Sequence, residues 1–165
     1  MNGVTMRLKI GEVSPEFELP DVNLKMRKLS EFKGNNLVLA FFPGAFTSVC
    51  TKELCTIRDS MSNFNRLNAK VLGISVDSPF SLAASRKQNN ITFDLLSDHA
   101  REVSRRYGII HENFANIPSL TVSKRSIFIV DKTGVLKYIW ISDNPAIEPN
   151  YSEVESELSR LEQSM

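Results

Sequence analysis

Cysteine is scarce in this chain of 165 residues, which holds two, alongside one tryptophan and two histidines. Two cysteines are too few for a disulfide-built scaffold, and in a reducing compartment a paired thiol is more often redox-active than structural. A metal site fits poorly. Cys50 and Cys55 stand as C-x4-C, with His99 and His111 far along the chain, and this matches none of the common zinc or iron–sulfur spacings. Charge of one sign is also missing. Twenty Lys and Arg against 19 Asp and Glu leave a net charge of +1, too little to hold nucleic acid or an anionic membrane surface. The basic clusters Lys25-Met26-Arg27-Lys28 and Arg105-Arg106 are short and read as solvated surface. No apolar run is long enough to span a bilayer. Residues 1–11 lack an apolar signal-peptide core, so a cytoplasmic location is expected.

What is present suits one packed domain over residues 1–165, with 42% apolar and 24% charged residues. Leu37-Val38-Leu39-Ala40-Phe41-Phe42 reads as a strand buried on both faces. Pro43-Gly44 breaks it, and Thr47 or Ser48 can cap a helix that follows. Cys50, Leu54, Ile57, Met61 and Phe64 recur at spacings of 4, 3, 4 and 3, which predicts one face of a single helix. Residues 71–76 form a second buried strand, and Pro79 starts a helix towards Gln88. Residues 98–107 read as a helix closed by Gly108. Residues 126–131 and 135–141 form an antiparallel hairpin. Ser152-Glu153-Val154-Glu155 matches a capping box for a last helix. This order predicts an α/β fold, a central mixed β-sheet flanked by helices. A small N-terminal extension precedes it, with a short strand at Phe17-Glu18-Leu19.

Cys50 falls in the first turn of its helix. Unpaired N–H groups and the helix dipole favour negative charge there, and the thiolate is the nucleophilic form of cysteine. Equally, Cys50 alone could be a small core residue. Pro43, Thr47 and Cys50 stand at spacings of 4 and 3, so a hydroxyl precedes the thiol and can bind a small polar substrate. On a regular helix Cys55 lies about 140° around and roughly 7.5 Å along from Cys50, with Cα atoms about 8.7 Å apart. A disulfide needs less than about 7 Å. Either Cys55 is a bystander, nearer the surface than Cys50, or the helix start unwinds to let the two meet.

The segment Phe42-Pro43-Gly44-Ala45-Phe46-Thr47-Ser48-Val49-Cys50 resembles the peroxiredoxin active-site signature, P-x-x-x-T-x-x-C. Thr51-Lys52-Glu53-Leu54-Cys55 is similar to the bacterioferritin-comigratory-protein, or PrxQ, group. Gly11-Glu12-Val13-Ser14-Pro15-Glu16-Phe17, Gly73-Ile74-Ser75-Val76-Asp77 and Ser97-Asp98 also fall in family-like order, so the likeness covers nearly the whole chain. It implies a thioredoxin-like fold and a thiol-dependent peroxidase that reduces hydrogen peroxide and organic hydroperoxides without cofactor or metal. Cys50 would be the peroxidatic cysteine and Cys55 the resolving one, closing an intramolecular disulfide that a thioredoxin-like protein reduces. Thr47 would hydrogen-bond the peroxide, and Pro43 would shield the sulfur. Arg125, in Lys124-Arg125-Ser126-Ile127-Phe128, would stabilise the thiolate, and Glu53 would orient that arginine.

Gly44-Ala45-Phe46 departs from the charged loop common in that group and looks closer to one-cysteine relatives. This leaves a one-cysteine peroxidase open, in which Cys55 is not the resolver. A thiol–disulfide oxidoreductase is the other alternative, though such enzymes usually carry C-x-x-C. Monomer and homodimer both stay open. Tyr107, Phe114 and Trp140 could serve as core, subunit interface or substrate mouth.

Overall fold

The computed structural model describes residues 7–164, so residues 1–6 of the segment read for a signal core lie outside it. The chain runs β1 (Glu18–Pro20), β2 (Met26–Lys28), β3 (Asn36–Phe41), α1 (Ser48–Asp59), α2 (Met61–Arg66), β4 (Ala69–Ser75), α3 (Pro79–Gln88) and β5 (Asp94–Ser97). It continues through α4 (Glu102–Arg106), β6 (Ile110–His111), β7 (Val122–Ser123), β8 (Ser126–Val130), β9 (Leu136–Ile141) and α5 (Tyr151–Gln163). Among the described residues no helix is long and apolar enough to cross a membrane.

Five strands form one mixed sheet in the order β5-β4-β3-β8-β9. β3, β4 and β5 are parallel, while β8 runs antiparallel to β3 and to β9. Every residue of β3 is buried, as a central strand covered on both faces requires. Its side chains alternate between two cores. Val38 and Ala40 join Cys50, Leu54 and Ile57 of α1, Phe64 of α2, Leu82 of α3, and Val154 and Leu158 of α5. Leu37, Leu39 and Phe41 join Phe17, Leu19, Val103 and Tyr107 on the opposite face. Tyr107 is therefore core, with its hydroxyl 2.7 Å from Ser14 and donating to the Pro15 carbonyl. Trp140 is partly buried against the first core. Gly73 has no room for a side chain, since a Cβ would fall 2.6 Å from Leu95.

Several boundaries differ from expectation. The single helix expected over Cys50, Leu54, Ile57, Met61 and Phe64 is broken at Ser60, whose N–H is shared between the Thr56 and Ile57 carbonyls. Residues 98–101 do not join α4. Arg101 is left-handed (φ 62°), and the buried Asp98 carboxylate accepts the N–H groups of Val103 and Ser104 instead. α5 begins one residue before Ser152 because Asn150 is the cap, accepting the Glu153 N–H. β5, unforeseen, adds the outer parallel strand. Arg27 is more than solvated surface. It bridges Asp21, Glu31 and Asp94, tying the N-terminal β1–β2 hairpin to the main sheet.

Candidate active site

The site grows from the end of β3. Pro43 is buried where the strand stops, and Phe46 turns the chain with a left-handed backbone (φ 67°). Thr47 is extended at the N-cap position of α1, and Ser48 is the first helical residue. The first intrahelical bond runs from Thr51 N–H to the Thr47 carbonyl. The N–H groups of Ser48, Val49 and Cys50 thus precede the helical ladder and point out of its positive end. The Thr47 hydroxyl does not cap the helix. It donates to the Gly44 carbonyl at 3.0 Å, which leaves its oxygen free to accept. Asp77 holds the loop from the other side, accepting the Ala45 N–H at 2.8 Å and the Ser75 hydroxyl at 2.6 Å.

Cys50 is 1% exposed, on the buried face of α1. A guanidinium faces its sulfur. Arg125, one residue before β8 and 75 positions along the chain, donates from Nη2 to Cys50 Sγ at 3.3 Å. The same arginine donates from Nη1 to Glu53 Oε2 at 3.4 Å. Nε and Nη2 both donate to the Pro145 carbonyl, at 3.2 and 2.8 Å. Four of the five guanidinium N–H donors are accounted for in this way. Burial works against the charge of Arg125, but Glu53 and Cys50 outweigh it and hold its pKa above the ordinary value.

Glu53 is fully buried one turn beyond Cys50, and its Oε1 has no hydrogen-bond partner among the described residues. Burial pushes its carboxyl from 4.5 up to about 7, with Arg125 pulling the other way. Between those two values the folded chain holds a proton that the unfolded chain has lost, so folding stability falls as pH rises through the window. Relative to Glu53→Gln, the wild-type protein should lose up to about 3 kcal/mol between pH 4 and pH 8. Urea unfolding of both proteins across that range measures it. Parallel pH profiles would show that Glu53 titrates as an ordinary carboxylate.

Cys50 and Cys55 are both free, and both lie within the continuous helix α1, Cys50 buried and Cys55 half-buried. Arg125 touches both Cys50 and Glu53, with Pro43 and Thr47 on the loop leading to Cys50. Cys55 stands apart along the helix. Sequence reasoning missed two participants. Pro145 acts through its carbonyl, which leaves no side-chain signature. Asp77 showed only as the end of a family-like segment after a buried strand, with no role at the site. His99 is exposed, and His111 stacks edge-on against half-buried Phe114.

A family model described as the AhpC/TSA family matches residues 10–139. Peroxiredoxin Q, chloroplastic, from Populus jackii is 34% identical over 139 residues, covering 84% of this chain and 63% of that protein. Its namesake from Triticum aestivum is 38% identical over 130 residues, covering 79% and 58%. The chain thus spans about three-fifths of the length of these plant relatives. Among solved structures, the crystal structure of peroxidoxin BcpB from Mycobacterium tuberculosis superposes with a TM-score of 0.83. It is 27% identical and covers 94% of this chain and 99% of that one. The mixed sheet with its flanking helices is the thioredoxin-like fold expected from the sequence.

Proposed function

This chain belongs to the AhpC/TSA family, in its peroxiredoxin Q group, and from that premise we propose that it is a thiol-dependent peroxidase acting through Cys50. The observation that carries this reading is the 3.3 Å bond from the Arg125 guanidinium to Cys50 Sγ. In the reaction the Cys50 thiolate attacks one oxygen of hydrogen peroxide or an organic hydroperoxide. The S–O bond forms as the O–O bond breaks, the departing oxygen takes a proton, and water or an alcohol leaves. Cys50 becomes a sulfenic acid. The Thr47 oxygen accepts the peroxide O–H. The remaining Arg125 donor and the first-turn N–H groups of α1 meet the charge developing on the oxygens. Pro43 walls off the sulfur from bulk water.

Cys55 is the proposed resolver. Its thiol condenses with the Cys50 sulfenic acid, forming the disulfide and releasing water. A thioredoxin-like protein dithiol then restores both thiols by exchange. The cycle requires no cofactor or metal, and it suits a reducing compartment such as the cytoplasm. The whole of residues 1–165 would act as one domain. The alternative, a one-cysteine peroxidase, draws on the apolar Gly44-Ala45-Phe46 loop and on the placement of both cysteines in one unbroken helix.

One experiment tests both steps. Iodoacetamide should label Cys50 rapidly at neutral pH, and equimolar peroxide should block the labelling. Intact-mass and peptide analysis of the peroxide-treated protein should then find Cys50 joined to Cys55. Slow labelling that peroxide does not block would reject the peroxidase. Stable sulfenic or sulfinic acid on Cys50, with no such link, would reject Cys55 as resolver.

A further inference from the structure

Residues 142–150, between β9 and α5, do more than pass over the site. Their backbone grips Arg125 twice: the Ser142 N–H donates to the Arg125 carbonyl at 2.9 Å, and the Pro145 carbonyl accepts from its guanidinium. Further along, Glu148 reaches α1. Its Oε2 pairs with Lys52 Nζ at 3.0 Å, and its Oε1 accepts the Tyr151 hydroxyl at 2.8 Å. Tyr151 is half-buried and packs against the core that contains Cys50 and Leu54. Burial opposes the charge of Glu148, but Tyr151 and Lys52 outweigh it and hold the carboxyl below the usual range.

Lys52 lies between the two cysteines. On intact α1 their Cα atoms are about 8.7 Å apart, beyond disulfide reach, so joining the sulfurs means taking this turn out of helical geometry. Lys52 then moves relative to Glu148. Resting on the reading of Cys55 as resolver, we propose that Glu148, anchored by Tyr151 and paired with Lys52, is a positioning residue for the second half of the cycle. The pair restrains the turn between Cys50 and Cys55. It thereby sets the balance between two fates of the Cys50 sulfenic acid. In one, the Cys55 thiol displaces water and the disulfide forms. In the other, a second peroxide oxidises the sulfenic acid to sulfinic acid and leaves as water or an alcohol.

Lys52 is 71% exposed along its side chain, so the pair is a weak restraint and its removal should change the balance by about two- to fivefold. The experiment uses the full chain as wild type, Lys52→Met, Lys52→Arg and Glu148→Ala, reduced and then mixed with rising hydrogen peroxide. After thiol blocking, intact-mass spectrometry gives the ratio of sulfinic acid to disulfide. Both products arise from one intermediate, so the ratio does not depend on how fast that intermediate forms. Lys52→Met and Glu148→Ala should lower the ratio about two- to fivefold, and Lys52→Arg should keep the wild-type value. An unchanged ratio in both charge-removing variants, with disulfide forming in all proteins, overturns the restraint alone. Sulfinic acid without any disulfide in the wild type overturns the resolver reading and the restraint with it.

Discussion

Cys50→Ser is expected to lose peroxide turnover by at least roughly 10³-fold, down to the decay seen in buffer. The size of the loss follows from what the first step does to the attacking atom. Sulfur accepts an oxygen and is oxidised; a serine hydroxyl has no corresponding state and stays protonated at neutral pH. The surrounding groups cannot compensate. In the proposed reaction Arg125, Thr47 and the start of α1 would stabilise charge and orient the peroxide, but none of them is a two-electron reductant. The substitution is nearly isosteric at a buried position, so the fold should survive it, and a thermal melt serves as control. Peroxide consumption is followed in the presence of a dithiol reductant. A variant that is folded and turns over at a near-normal rate would place the chemistry on another residue.

Arg125→Met should slow the reaction of Cys50 with peroxide by about 10²–10³-fold, the usual cost of removing one preorganised charge-stabilising donor. Methionine fills much of the same volume but ends the bonds to Cys50, Glu53 and the Pro145 carbonyl together. Lysine is no substitute, since a point ammonium cannot span three acceptors that a planar fork reaches at once. Breaking a buried ion pair commonly costs about 3–5 kcal/mol, yet the full penalty should not appear. Glu53 is already pushed up to about 7, and with its counter-charge gone it takes up a proton at neutral pH. The variant is therefore expected to be folded but slow. Competition for peroxide against a reference peroxidase of known rate gives the second-order constant; an unchanged constant would remove the guanidinium from the chemistry.

Legibility from sequence followed the range of the interactions. β3 was readable because a strand covered on both faces writes itself as an unbroken apolar run. The start of α1 was readable because Pro43-Gly44 must end that strand. The apolar stripe of α1 correctly put Cys50 inward, but it ran on through Met61 and Phe64. The stripe records which side chains meet the core, and two short helices meeting at Ser60 meet it as well as one long helix does. The cap of α5 was misplaced because Asn150 and Ser152 both satisfy the local pattern, and only the folded backbone shows which side chain receives the Glu153 N–H. β5 is four residues without alternation, too short to signal itself. At the site, the resemblance supplied Arg125 and Glu53 by position, and the structure brings Arg125 to the sulfur and Glu53 to Arg125. Pro145 could not be read at all. Its contribution is a carbonyl, which every residue has, and its placement depends on where β9 and α5 carry the loop.

The distance along the chain between Cys50 and Arg125 has a consequence for biosynthesis. A ribosome makes Cys50 long before Arg125, and longer still before Pro145 arrives to fix the guanidinium in place. During that interval the thiol belongs to a nascent chain and lacks the Arg125 guanidinium beside it. The reactivity proposed for Cys50 therefore waits until β8 pairs with β3, a contact between segments far apart in the chain and so intrinsically slow to form. On the proposed reading, peroxide met by an incomplete chain finds Cys50 without its guanidinium, so oxidation at this position begins only once β8 is in place.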